Sequence, residues 1–386
     1  MANPEVIVLG AGIAGAATAV FLARRGHRVV LFESHEPAHS GGSSHGDGRI
    51  IRYTYPEEVY VEMARRAYTA WADLETAAGE SLVETTGSWE CGPAGSLPLA
   101  DLEASFERDG IAYDRLTPAE SAERFPHFHL PEGSFALYQE HGGIVRAERA
   151  VRAFCRLAEQ AGAQIVYQPI VAIEPSAEGV EVVAQDGNRW RASSVVATLG
   201  GWSGPMLSTL DLSLPLHVTR EQVTYFRVRD GVEVDHGISG MPTFIDYHDP
   251  EQPFYGLPII EVPGVKLGWH HSGPTFSPDD EEAVDGEILA KQQRYVRERL
   301  PGLDPEPIHI TRCLYTNTPD YHFVLDHHPH HPRVVVGTGF SGHGFKFGPV
   351  LGEILASLAL GEEPPVDLET FRIARFDGEL QRRRSA

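Results

Sequence analysis

Cations are scarce in this chain. Its 386 residues carry 32 Lys+Arg against 54 Asp+Glu, a formal net charge of −22. Such a field repels phosphate backbones and argues against nucleic acid as a partner. Any anion bound here must be held by a local basic cluster. Cysteine is almost missing. Cys91, Cys155 and Cys313 are too few and too scattered for a disulfide framework or a zinc motif, so a reducing cytoplasm is the expected compartment. No apolar run reaches the roughly 18 residues of a membrane span, and no membrane partner is expected. The opening MANPEVIVLG lacks a basic region followed by a separate apolar segment, and the closing RRRSA is not a peroxisomal tripeptide. Neither end reads as a targeting signal.

What is present is ordinary for a globular protein: 42% hydrophobic and 22% charged residues, over a length that suits two or three domain-sized units. Residues 5–9 (EVIVL) form a continuous apolar run, as a buried parallel strand requires. Helix formers fill 14–25 up to Gly26, and 28–33 (RVVLFE) reads as a second strand. Residues 34–48 are a Gly/Ser-rich loop whose backbone can approach a ligand closely. Helices are expected over 57–78, 146–161 and 282–299. Strand-like QIVYQPIVAIEPS, GVEVVAQ and SSVVATLG after residue 163 suggest that the first sheet resumes. Between 220 and 270, short apolar runs broken by Pro and Gly have the character of an antiparallel sheet. VVVGTG (334–339) and PVLGEILASLAL (349–360) give a final strand, glycine turn and helix.

Gly10-Ala-Gly12-Ile-Ala-Gly15 fits G-x-G-x-x-G, with a strand before it and a helix after it. The first glycine permits the tight turn, the second lets a pyrophosphate reach the backbone, and the third lets helix and strand pack closely. Glu33 closes the second strand, 18 residues after Gly15, where a carboxylate can accept from a ribose hydroxyl. This is a dinucleotide site, and the fingerprint alone does not choose between NAD and FAD.

Four further segments narrow the choice: GSSHGDGRIIRYTYPE (42–57), PFYGLP with VKLGWHHSG (253–258 and 265–273), CLYTNTPDYHFVLD (313–326) and GFSGHGFKFGPVLGEILA (339–356). Together with the fingerprint, in collinear order from Val6 to about Leu358, they make the chain similar to the monomeric sarcosine oxidase and N-methyltryptophan oxidase family. The resemblance implies an FAD bound by a doubly wound α/β domain, beside a mostly antiparallel α+β substrate domain. It implies a covalent bond from Cys313 to the flavin. It implies oxidation of a secondary amine on an N-alkyl or cyclic amino acid, with O2 reduced to hydrogen peroxide. A same-fold FAD dehydrogenase, or a specialised biosynthetic amine or imino-acid oxidase using a different substrate or electron acceptor, is the alternative. A small amino-acid substrate, O2 and a monomeric state complete the implied partners.

The same resemblance assigns residues. Arg52 and Lys346 match the positions that hold the substrate carboxylate, and a planar guanidinium fork plus an ammonium suits that anion. Arg49 would lie against the flavin. Lys266 would promote oxygen reduction, where a buried cation stabilises developing negative charge; between Val265 and Leu267 it points to the opposite face of its strand. His270 and Tyr255 match active-site positions beside the amine. Ser43, His45, Gly342, His343 and Gly344, with Arg49 and Lys346 in a second role, join Gly10, Gly12, Gly15, Glu33 and Cys313 as cofactor-contacting positions. Gly48 departs from the threonine common in the family. The stretch 245–252 also departs, so the side-chain pocket and the particular substrate stay open. The cofactor domain is expected from 1–85, 145–219 and 314–386, and the substrate domain from 86–144 and 220–313. The histidine-rich run Asp326-His327-His328-Pro329-His330-His331 is expected as an exposed turn rather than a metal site.

Overall fold

The computed structural model describes residues 3–280 and 283–376. The first residue of the expected 282–299 helix and the closing RRRSA lie outside that range. A six-stranded sheet runs in the order Val324–His328, His331–Thr338, Ser194–Ala197, Val6–Leu9, Val29–Glu33, Gln164–Tyr167. All its pairings are parallel except the hairpin at the Val324–His328 edge. Val6–Leu9 reads as an uninterrupted apolar run because both faces of the sheet are covered. Val6 and Val8 pack into a core shared with the helices Ile13–Arg24, Ala147–Gln160 and Gly348–Leu360. Ile7 and Leu9 face a second core. The first and last of these helices cross tightly, since a Cβ on Gly352 would lie 2.6 Å from that of Ala17.

That second core explains one departure from the sequence reading. Only Gln164–Tyr167 and Ser194–Ala197 rejoin the parallel sheet. The segments Ile170–Pro175, Val180–Ala184 and Arg189–Ala192 between them form a separate antiparallel sheet. Val180, Val182 and Ala184 are buried while Glu181 and Val183 are only partly so, the two-residue period of a sheet covered on one face.

The larger sheet has eight strands, in the order Leu303–Asn317, His217–Val228, Val265–Trp269, Phe254–Leu257, Thr243–Asp246, Ser88–Pro93, Ser134–Gln139, Asp114–Leu116. It is antiparallel, as the 220–270 pattern suggested, apart from the parallel contact of Thr243–Asp246 with Ser88–Pro93. The sequence reading gave residues 86–144 no elements. They supply three strands of this sheet and the helices Leu97–Asp109 and Pro118–Arg124. The second helix starts at a capping box between Thr117 and Glu120, a signal present in the T-P-A-E stretch. A small sheet of Arg49–Ile51, Gly143–Val145 and Val83–Thr85 fixes the backbone from which Arg49 and Arg52 project.

The histidine run lies in the hairpin between Val324–His328 and His331–Thr338. The expectation of an exposed turn needs one correction. His328 is 1% exposed, and its Nδ1 accepts from the backbone N–H groups of His330 and His331. This imidazole closes the turn from inside.

Candidate active site

A cavity of about 1200 Å³ takes its walls from both large sheets. At one end lies the turn from Val6–Leu9 into Ile13–Arg24. Gly10 has φ +90°, and a Cβ on Gly15 would sit 1.9 Å from the Gly10 carbonyl oxygen. Only glycine allows this helix to start so close to its strand, with its N-terminal N–H groups and positive dipole end open to a pyrophosphate. The buried Glu33 carboxylate accepts from Ala11 N at 2.7 Å and Ser34 N at 2.7 Å. The serine loop closes over this end. Ser43 Oγ donates to Leu314 O at 2.6 Å, and Ser44 Oγ accepts from Ile13 N at 3.1 Å.

Loop residues 42–49 lead toward Cys313 and Lys266. Burial, with Arg49 and Lys266 nearby, pushes His45 down to about 3. It is a neutral ring, and its buried Nε2 has no partner among the described residues. An unpartnered polar atom on a cavity wall needs a ligand or water to satisfy it. Together with the glycine turn, it fits a bound dinucleotide. Cys313 Sγ lies 3.5 Å from Arg49 Nη2. Burial works against the charge of Arg49, but Cys313 and the tyrosines 255, 225 and 315 outweigh it and raise its pKa. Lys266 is 4% exposed and lines the cavity, opposite in direction to the core residues Val265 and Leu267. Its Nζ donates to Gly48 O at 2.9 Å and lies 3.8 Å from Asp47 Oδ1. Burial and Arg49 push it down to about 8, against the pull of Asp47 and Cys313. Gly48 has a local reason: a Cβ there would meet Ile260 Cδ1 at 2.6 Å and Ile144 Cγ2 at 2.8 Å.

At the other end, Arg52 and Lys346 meet on one ring. Arg52 Cζ is 5.4 Å and Lys346 Nζ 5.2 Å from the Tyr55 centroid. Lys346 donates to Tyr55 Oη at 2.7 Å and His343 O at 2.8 Å. Burial and the charge of Arg52 hold its pKa well below the usual lysine value, while Glu90 pulls it up. Arg52 has its pKa raised: burial opposes the charge, and Glu90 and Tyr247 overcome it. His270 bonds Tyr315 Oη through Nδ1 at 3.1 Å, and its ring meets that of Tyr255 edge-on at 6.0 Å. Burial first, then the neighbouring histidines and cations, hold His270 well below its usual range. Burial pushes Tyr255 up to about 12. His343 bonds Tyr55 Oη and Tyr321 O. Gly342 has φ +77°, and a Cβ would strike the Tyr315 ring at 2.3 Å. The helix Gly348–Leu360 begins after a short 3₁₀ turn, Phe345–Phe347.

The site residues assigned from sequence line this cavity, except that of the three fingerprint glycines Gly15 packs inside the helix Ile13–Arg24 behind Gly10 and Gly12. Several neighbours were missed. Asp47, Tyr55 and Tyr315 sit inside the quoted segments, where an aromatic or acid beside an assigned cation was a usable signal. Tyr247 and Glu90 carried no sequence signal.

The fold and site define a dinucleotide-binding protein with two cations, Arg52 and Lys346, gathered at one end of its cavity. The sequence profile of the FAD dependent oxidoreductase family matches residues 5–358, and the chain belongs to that family. It is 38% identical to the peroxisomal sarcosine oxidase of Homo sapiens over 96% of each chain. It is 33% identical to the N-methyl-L-tryptophan oxidase of Salmonella heidelberg, over 96% of this chain and 99% of that one. The solved open form of NikD, an unusual amino acid oxidase essential for nikkomycin biosynthesis, superposes with a TM-score of 0.85. That match has 25% identity and covers 96% of this chain and 98% of NikD. The resemblance read from the ordered segments is confirmed, as is the α/β plus antiparallel architecture.

Proposed function

We propose that this protein oxidises the C–N unit of a secondary amine on an N-alkyl or cyclic amino acid, with O2 as acceptor. The observation that carries this reading is the convergence of Arg52 and Lys346 on Tyr55, in a cavity continuous with the dinucleotide turn and Cys313. The two cations hold the substrate carboxylate and so fix the amine. Neutral His270 and protonated Tyr255 leave no anion beside the nitrogen. A pocket of cations favours the unprotonated amine, the form that releases electrons. Bound along the cavity, FAD would accept two electrons from substrate and deliver them to O2 as hydrogen peroxide. The imine product then hydrolyses in water. Lys266 supplies positive charge for the oxygen step. Arg49 Nη2, 3.5 Å from Cys313 Sγ, places a cation beside the sulfur that would carry the flavin.

Residues 1–85, 145–219 and 314–386 serve as the cofactor domain, and 86–144 with 220–313 as the substrate domain. Strands His217–Val228 and Leu303–Asn317 pass from one to the other. The protein acts as a monomer in the cytoplasm. None of its described helices is long and apolar enough to cross a membrane.

A peroxide assay over N-alkyl and cyclic amino acids tests the reaction, and Arg52→Ala tests the clamp. A charge-assisted hydrogen bond is worth about 1.5–3 kcal/mol, so apparent affinity for acids should fall roughly tenfold to a hundredfold with flavin content unchanged. Carboxylate-free amines should be poor substrates and insensitive to the change. Equal slowing of acids and carboxylate-free amines would sink the amino-acid reading.

A further inference from the structure

One buried charge has no part in the chemistry above. Glu90 lies within Ser88–Pro93, is 1% exposed, and is absent from the cavity wall. Both its oxygens accept from Arg52 Nη1 at 2.8 Å. Ser88 Oγ and Tyr247 Oη donate to it at 3.3 and 3.2 Å. The hydrogen bonds of Arg52 all leave from Nη1, to Glu90, Thr54 and Tyr247. Arg52 is therefore tied from behind by the Glu90 carboxylate.

The charges at the substrate end can be counted. Arg52 and Lys346 contribute at most two positive charges, and Glu90 cancels one. Lys266 faces Asp47 at 3.8 Å, and Arg49 lies at the Cys313 end of the cavity, where it donates to Gly48 O and Ser43 O. Burial keeps the rings of His270 and His343 uncharged. Glu57 and Glu251, both exposed, add negative charge to the cavity wall. Of the two cations that meet at Tyr55, at most one net positive charge is left to face the substrate. Inside a poorly solvated cavity an unmatched charge is costly.

We infer that Glu90 restricts this pocket to substrates bearing a single carboxylate, by cancelling through Arg52 one of the two cationic charges there. The inference rests on reading Arg52 and Lys346 as the carboxylate clamp. Glu90 touches no substrate; it is a specificity residue that acts through Arg52. It rejects a second carboxylate by charge alone, whatever room the cavity has.

The probes are thiodiglycolate and its monoamide, which match in shape and differ by one charge. Their binding to the holoenzyme is read from the flavin absorbance. Wild type should prefer the monoamide by about tenfold or more, an amount ordinary for one unmatched charge in a partly buried site. Glu90→Gln should bring the two affinities to near equality, and Glu90→Asp, which keeps the charge, should retain the preference. A wild type without preference overturns the inference. So does Glu90→Gln with normal flavin content and the wild-type preference. If Glu90→Gln does not accumulate as holoenzyme, wild type and Glu90→Asp decide the matter: loss of preference in either overturns it. The clamp reading fails separately. Arg52→Ala slowing carboxylate-free amines as much as acids removes the clamp itself, whereas an acid-selective Arg52→Ala with an unmoved Glu90→Gln removes only the role of Glu90.

Discussion

Lys266 and Cys313 are neighbours in one electrostatic field, and each gives a sharp test. With its pKa near 8, Lys266 is charged below that pH and neutral above it. A cation that promotes oxygen reduction should therefore lose its effect as pH rises through about 8. Stopped-flow reoxidation of reduced enzyme should show that falling limb. Lys266→Met should flatten it and slow reoxidation on the order of a hundredfold, the usual cost of removing one preorganised charge-stabilising group. A limb surviving in the variant would assign the titration elsewhere. For Cys313, acid precipitation of wild type should leave flavin on the peptide that contains it, and Cys313→Ala should release all flavin to the supernatant. Cys91 and Cys155 are buried, and burial raises both thiols, so neither should replace it.

At the scale of elements, the strand–turn–helix at the start of the chain is the least tolerant piece. Gly15→Ala places a methyl group 1.9 Å from Gly10 O and 2.4 Å from Thr198 Oγ1. The helix must move off the sheet, and flavin per mole of protein should fall to near zero. Normal flavin content in this variant would contradict the packing described. This element was legible because its constraints are local: three glycines, an apolar run and an acid within one strand–helix–strand unit. The order of the eight-stranded sheet was not. Ser88–Pro93 lies parallel to Thr243–Asp246, and nothing in either segment names the other. Glu90 was hidden for the same reason, since a lone carboxylate on a strand looks like a solvent-facing residue until the partner strand and Arg52 are in place. The meander of 170–192 was misplaced because short apolar runs do not say which sheet they join.

For the molecule as a whole, the cavity draws its walls from both large sheets, so cofactor binding should stabilise the two together. Cys313→Ala purified without flavin should melt in a single transition that rises as FAD is added. The expected gain is about 2.7 kcal/mol at a hundredfold excess over Kd. Two separate transitions, only one of them responsive to FAD, would show that the sheets unfold independently. The order of the parallel sheet has a further consequence, in time rather than space. Val6–Leu9 leaves the ribosome before both its neighbours and soon acquires Val29–Glu33, but its other neighbour is Ser194–Ala197. At about 5–20 residues per second, that edge stays unpaired for roughly 10–40 s. Throughout that interval a nascent chain displays an open, wholly apolar strand, which a chaperone must shield or a neighbouring chain will find.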